Sequence, residues 1–152
     1  IARRQRQMCI RDSFEVEQVV LDIVVTTGIA SILLTAEHII DYNTGLAHAV
    51  FYALTSYPHI EENHLHGEVV GFGILILLLV DENEEMFKTM FDFNRSISLP
   101  TCLKDIEMSE SDLDKLVPMV CAMKDIDHNP YKITEEMVLK AFKKLEEYNK
   151  NN

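Results

Sequence analysis

The sequence predicts a mainly helical protein with one hydrophobic core, and three observations support this prediction. Apolar residues recur at intervals of three and four along several segments, which is typical of helices that bury one face. The 152 residues include only five glycines and four prolines, so few positions interrupt such helices. With 47% apolar residues, a chain of this length can bury one sizeable core, and its length favours one core over two.

The charge and the cysteine content argue against several classes of function. A formal net charge of −11 disfavours nucleic-acid and anionic-membrane partners, because both require basic patches. Cys9, Cys102 and Cys121 are odd in number and lack C-x-x-C spacing, so neither a disulfide framework nor a zinc ribbon is indicated. The longest apolar run, residues 69–80, is shorter than the roughly 17 to 25 residues that span a bilayer. We therefore expect a cytoplasmic protein without nucleic-acid or membrane partners.

The first thirteen residues differ from the rest of the chain. Residues 3–12, RRQRQMCIRD, have neither helical nor strand periodicity and resemble the translation of a common sequencing adaptor. The alternative, a basic arm or targeting peptide, conflicts with the acidity of the remaining chain. We expect residues 1–13 to be a non-native or disordered arm and residues 14–152 to form the helical domain.

The first half of that domain should contain two helical regions and a loop. Residues 14–27 predict an amphipathic helix that Gly28 interrupts or ends, and the apolar stretch after it either continues this helix or forms another. The next helix should be capped by Asn43 or Thr44 and end before Pro58, which disfavours helical geometry in its predecessor. A polar loop should follow the proline.

The second half predicts a central helix and three peripheral ones. The apolar run at residues 69–80 indicates a helix buried on all sides, in which Gly67, Gly71 and Gly73 would each cost about 1 kcal/mol relative to alanine. We expect a close approach of another backbone or of a substrate to offset that cost. An acidic turn then leads to a helix with a Met and Phe core stripe.

Two further helices complete the predicted domain. Ser109 or Ser111 should cap the first of them, and Pro118 should kink or restart it. Thr134 should cap the last helix.

Two histidines are the candidate functional residues. His48 lies on a polar stripe with Thr44, Tyr52 and Thr55, and His66 opens the central helix. The exposed backbone N–H groups of a helix start disfavour imidazolium, and a neutral imidazole is the form that binds metal. We interpret His48 and His66 as metal ligands.

These residues carry a resemblance to a known family. Residues 45–48, GLAH, with residues 66–73, HGEVVGFG, resemble the paired-histidine signature of the iron-containing alcohol dehydrogenase superfamily, in its glycerol dehydrogenase-like branch. Residues 98–103, SLPTCL, and residues 127–130, DHNP, resemble later loops of that family in the same order. The resemblance covers nearly all of the chain after Ser13. It implies an all-α helical bundle like the C-terminal domain of these enzymes and of dehydroquinate synthase-like proteins, without the N-terminal NAD-binding domain.

The resemblance also implies a chemistry. Family members are NAD(P)-linked alcohol or polyol dehydrogenases in which one Asp and two His hold zinc or iron(II), and the metal polarises the substrate hydroxyl for hydride transfer. The two His correspond to His48 and His66, whereas the Asp and the nucleotide site would lie upstream of this chain. We therefore expect the chain to be inactive alone, with a small alcohol or polyol as the substrate of its full-length parent. A homo-oligomeric assembly stays open.

One departure leaves alternatives open. Many members carry another His three or four residues after the first ligand, where this chain has Phe51 and Tyr52. Tyr52, on the stripe of His48, would line the pocket or relay a proton. The departure leaves the substrate and even the reaction class open. The alternatives are a 3-dehydroquinate synthase-like lyase and a non-enzymatic helical module.

Deleting residues 1–13 should leave the melting temperature unchanged, because this segment has no core pattern. Thermal unfolding of the two proteins, followed by circular dichroism, measures this. A loss of several degrees in the shortened protein would show that the arm is part of the fold.

Overall fold

The computed structural model describes residues 14–35, 44–127 and 129–151, and it separates into two compact units, residues 1–43 and residues 44–152. All regular secondary structure in the described ranges is helical, which confirms the all-α class. The predicted arm at residues 1–13 lies outside the described ranges, so that expectation stays a prediction.

The described part of the first unit is one run of helix. It consists of α1 (Phe14–Asp22), a π-helical segment (Ile23–Thr27) and α2 (Gly28–Thr35). Gly28 adopts ordinary helical angles, with φ −63° and ψ −46°, so the prediction that it ends or breaks the helix is wrong. The interruption of α-geometry is the π-helical segment that precedes it, and π-bulges of this kind occur inside otherwise continuous helices.

Most of the apolar side chains whose burial is described in this run, residues 14–33, are exposed. Residues Phe14–Leu33 are long and apolar enough to cross a membrane by length and composition. The core helix of a soluble protein and a signal sequence pass the same test, so this property alone assigns no membrane role. A search for uninterrupted apolar runs does not find this span, because Glu15, Glu17 and Asp22 interrupt its first half.

The second unit is built around a central helix. The helix α5 is apolar on nearly all sides and packs against α3, α6 and α8, as the uninterrupted apolar run predicts. His66 is its first residue, also as predicted. The helices of this unit are α3 (Leu46–Leu54), α4 (Pro58–Asn63), α5 (His66–Val80), α6 (Glu84–Ser96), α7 (Leu113–Cys121) and α8 (Glu135–Asn151), with short 3-10 turns at Leu103–Ile106, Glu110–Asp112 and Lys124–Ile126.

Only one of the three glycines of α5 lies against another backbone. A Cβ atom at Gly73 would lie 2.4 Å from the carbonyl oxygen of Ala47 and 3.0 Å from its Cα. At Gly71 a Cβ would make only ordinary contacts, and at Gly67 it would meet nothing within 4 Å. The expected close approach of another backbone is therefore confirmed at Gly73 and not found at Gly67 or Gly71, where the approach of a substrate stays a prediction.

The start and the end of α3 differ from the prediction. The N-cap is Gly45, in extended geometry and without a side-chain cap, rather than Thr44, and Asn43 lies outside the described residues. The segment after Tyr57 is the short helix α4 rather than a polar loop. Pro58 occupies its first turn, where the missing N–H of proline would have no helical partner anyway.

The later helices mostly follow their sequence signals. The Ser109 hydroxyl donates to Asp112 at the start of the 3-10 turn that leads into α7. Pro118 lies inside α7 without restarting it, and its carbonyl accepts the Ala122 N–H. Thr134 Oγ1 accepts the Met137 N–H, so the predicted cap of α8 is confirmed.

Gly73→Ala should destabilise the protein by about 1 to 3 kcal/mol, because its methyl group would overlap the Ala47 backbone and force α3 and α5 apart. Urea unfolding followed by circular dichroism measures the change in the free energy of unfolding.

The matched control is Gly67→Ala in the same helix, where the new Cβ meets nothing within 4 Å. It should be neutral or should stabilise the protein by up to about 1 kcal/mol. Equal stabilities of the two variants would contradict the close crossing at Gly73.

Candidate metal centre

The structure brings the two predicted ligands together. His48 is the third residue of α3 and is half-buried, whereas His66 is the first residue of α5 and is exposed. The centres of their rings lie 5.7 Å apart, and the ring planes are inclined by 47°. The crossing of α3 and α5 thus places one imidazole from each helix at a common point.

This separation fits a shared metal ion. Two imidazoles on one tetrahedral zinc, with Zn–N bonds of about 2.0 to 2.1 Å, have ring centres roughly 5 Å apart. The 5.7 Å in the structure is within a small side-chain rotation of that geometry. Neither ring makes a hydrogen bond or an ion pair with another described residue, so their nitrogens are available to a ligand.

The two histidines are an incomplete ligand set. Within residues 14–35, 44–127 and 129–151, no group of three or more His, Cys, Asp or Glu side chains could hold a metal ion. A third protein ligand, such as the carboxylate that the family resemblance implies, would have to come from outside these residues.

The surroundings of His48 favour its neutral form. Burial lowers the pKa of its imidazole, the nearby His66 lowers it further, and the carboxylate of Asp125 opposes both effects. Because only a neutral imidazole has a free lone pair for a metal, the lowered pKa suits His48 to the role of ligand.

Tyr52 lies next to the pair on its solvent side. Its side chain is 40% exposed, and its ring centre is 6.4 Å from that of His48. The phenol is therefore accessible to a small molecule that approaches the histidines. The proposed relay role of Tyr52 stays a prediction.

The contact between the rings of Phe51 and His66 does not follow from the sequence pattern. The ring centre of Phe51 lies 4.3 Å from that of His66 at an interplanar angle of 70°, closer than the two histidines are to each other. The helical pattern assigned Phe51 to the apolar stripe of α3, and it does pack against the core. The available signal was its position one turn after His48, which makes the two side chains neighbours on the surface of α3.

The other described histidines of this unit lie elsewhere. The ring of His59 packs against Tyr57 with their centres 6.0 Å apart, and His64 Nδ1 is 3.7 Å from the Glu68 carboxylate. The structure therefore does not bring either of them into the His48 and His66 pair.

Comparison with known proteins identifies relatives of this arrangement. No family model matches the chain. The chain is 33% identical over 107 residues to glycerol dehydrogenase from Thermotoga maritima, an alignment that covers 67% of the chain and 29% of that protein. It is 28% identical over 106 residues to hydroxycarboxylate dehydrogenase A from Escherichia coli, with the same two shares.

A solved structure shows the same helical arrangement. A probable glycerol dehydrogenase from Sinorhizobium meliloti superimposes with a TM-score of 0.64 and 26% sequence identity, over 71% of this chain and 32% of that one. The chain thus spans less than a third of the length of these relatives. Together with the paired histidines, these similarities show that the chain belongs to the iron-containing alcohol dehydrogenase superfamily, in its glycerol dehydrogenase-like branch.

Proposed function

We propose that the chain is the metal-binding helical domain of an NAD(P)-linked, metal-dependent alcohol or polyol dehydrogenase. The observation that carries the proposal is the 5.7 Å separation of the His48 and His66 ring centres at the crossing of two helices. The relatives named glycerol dehydrogenase and hydroxycarboxylate dehydrogenase support an oxidoreductase. They give less support to the alternatives, a 3-dehydroquinate synthase-like lyase and a non-enzymatic helical module.

Each residue of the site has a distinct role in this proposal. His48 and His66 hold a zinc or iron(II) ion through neutral imidazole nitrogens. When bound, the metal supplies Lewis-acid polarisation of the substrate hydroxyl, and NAD(P) accepts the hydride. Tyr52, exposed beside His48, lines the pocket or takes up the proton that leaves the substrate hydroxyl.

The proposal includes inactivity of this chain by itself. Holding the nicotinamide and the alcohol carbon in reactive geometry can account for about 7 to 11 kcal/mol of the barrier. Dinucleotide sites of that kind are built on parallel strands followed by glycine-rich turns, and the described residues contain helices only. A cytoplasmic location, a small-molecule substrate and the absence of nucleic-acid and membrane partners complete the proposal as expectations, and a homo-oligomeric state stays open.

Activity should appear when residues 14–152 replace the matching region of the glycerol dehydrogenase from Thermotoga maritima. We expect the fusion to reduce NAD with glycerol or another small alcohol, to lose the activity on chelation and to regain it with zinc. Absorbance of NADH at each step measures this. A fusion that folds and converts 3-dehydroquinate precursors but no alcohol would replace the dehydrogenase assignment with the lyase.

His66→Ala in the fusion should lower the metal-dependent activity by more than about 100-fold, beyond the effect typical of an outer-shell partner. In the absence of metal its melting temperature should change little, because the side chain is exposed and makes no hydrogen bond with a described residue. The control is His64→Ala, which removes a histidine outside the pair and should keep the activity. Equal activities of the two variants would contradict the role of His66 as a metal ligand.

A further inference from the structure

The ring of Phe51 is fixed in place by the core. Phe51 lies on α3 one turn after His48, is half-buried and packs against the buried cluster of the second unit. From there its ring meets His66 with ring centres 4.3 Å apart at 70°, an edge-to-face arrangement. Aromatic pairs prefer this geometry because the negative face of one ring attracts the positive edge of the other.

His66 has little else to fix its orientation. It is the first residue of α5, its side chain is exposed, and it makes no hydrogen bond or ion pair with a described residue. A histidine that binds metal is usually oriented by a hydrogen bond from its second ring nitrogen to a carboxylate or a carbonyl. Of the two rings that contact this imidazole in the described part of the chain, Phe51 lies closer, with ring centres 4.3 Å apart against 5.7 Å for His48.

We propose that Phe51 is a positioning residue for His66, holding its imidazole toward His48 by an edge-to-face contact in place of the usual hydrogen bond. The inference rests on the proposed metal-binding function and adds to it the group that orients the exposed ligand. Metal binding then requires less ordering of the His66 side chain, because its imidazole is already held near the metal-bound orientation.

The test compares ring-bearing and ring-free side chains at position 51 in the 152-residue chain. Phe51→Leu removes the aromatic ring and keeps an apolar side chain, whereas Phe51→Tyr keeps the ring. By isothermal titration calorimetry with zinc chloride, the leucine variant should bind about 2- to 10-fold more weakly than the wild type, and the tyrosine variant should bind within about twofold of it. Phe51→Met keeps the apolar volume and tests the loss of the ring even where the leucine variant unfolds.

A second measurement detects the contact without metal. The Hδ2 and Hε1 resonances of His66 should carry a ring-current shift in the wild type and in Phe51→Tyr. In Phe51→Leu they should move to the positions of an exposed histidine. A general loss of stability would not produce this change at one imidazole.

The matched control is Tyr57→Leu, which removes another half-buried ring in edge-to-face contact with a histidine, His59. It should leave the zinc affinity and the His66 resonances unchanged.

If His66→Ala abolishes zinc binding but Phe51→Leu binds like the wild type, the positioning role is overturned and the metal site stands. If His66→Ala binds zinc like the wild type, both the metal site and the positioning role are overturned.

Discussion

The geometry of the site depends on one backbone contact, the crossing of α3 and α5 at Ala47 and Gly73. The missing Cβ at Gly73 lets the carbonyl of Ala47 approach to a distance that any other residue would prevent. His48 follows Ala47 directly, and His66 lies about two turns before Gly73 on the facing helix. A wider crossing would move both imidazoles outward, so the separation of the ring centres is set by the packing of two backbones.

The rest of the second unit holds α5 in the orientation that this crossing requires. The side chain of Asn94, which is only 1% exposed, donates from Nδ2 to the carbonyl oxygen of Gly71 and so ties α6 to α5. On another side Phe72 packs against Phe142 of α8. Because α5 is held over most of its length, its first residue, His66, is presented at the exposed end of a rigid element. Sites on rigid elements keep their geometry better than sites on loops.

Short-range sequence patterns predicted the elements that are determined by interactions between residues close in sequence. The apolar run of α5 with His66 at its start, and the Thr134 cap of α8, follow from spacing and side-chain chemistry within a few residues. Pro58 was ambiguous because proline disfavours helix in the residue before it and is favoured in the first turn of a helix after it. The sequence signal for a helix end was therefore also the signal for the start of α4.

Features that depend on how helices pack could not be predicted in the same way. Gly67, Gly71 and Gly73 look alike in sequence, and only the path of α3 distinguishes the one that needs to be glycine. Phe51 fits an apolar stripe, and its contact with His66 depends on a helix that begins 15 residues later. The convergence of the two histidines was expected from their placement, one within a helix and one at a helix start, and from the family resemblance, but no local pattern specifies a distance across two helices.

Under the proposed function, the incomplete ligand set couples metal binding to the arrival of a third ligand. Two imidazoles alone bind a divalent ion weakly, and a carboxylate from outside the described residues would complete the site. If the ion binds more tightly when this carboxylate is in place, the bound ion stabilises the association of the carboxylate with the two histidines. That association raises the affinity for the ion by the same factor. His66, exposed at a helix end beside the accessible Tyr52, lies where such a partner can reach it. Under the proposed function, metal, substrate and the group that completes the ligand set would therefore meet at one surface, whose geometry the crossing of α3 and α5 maintains.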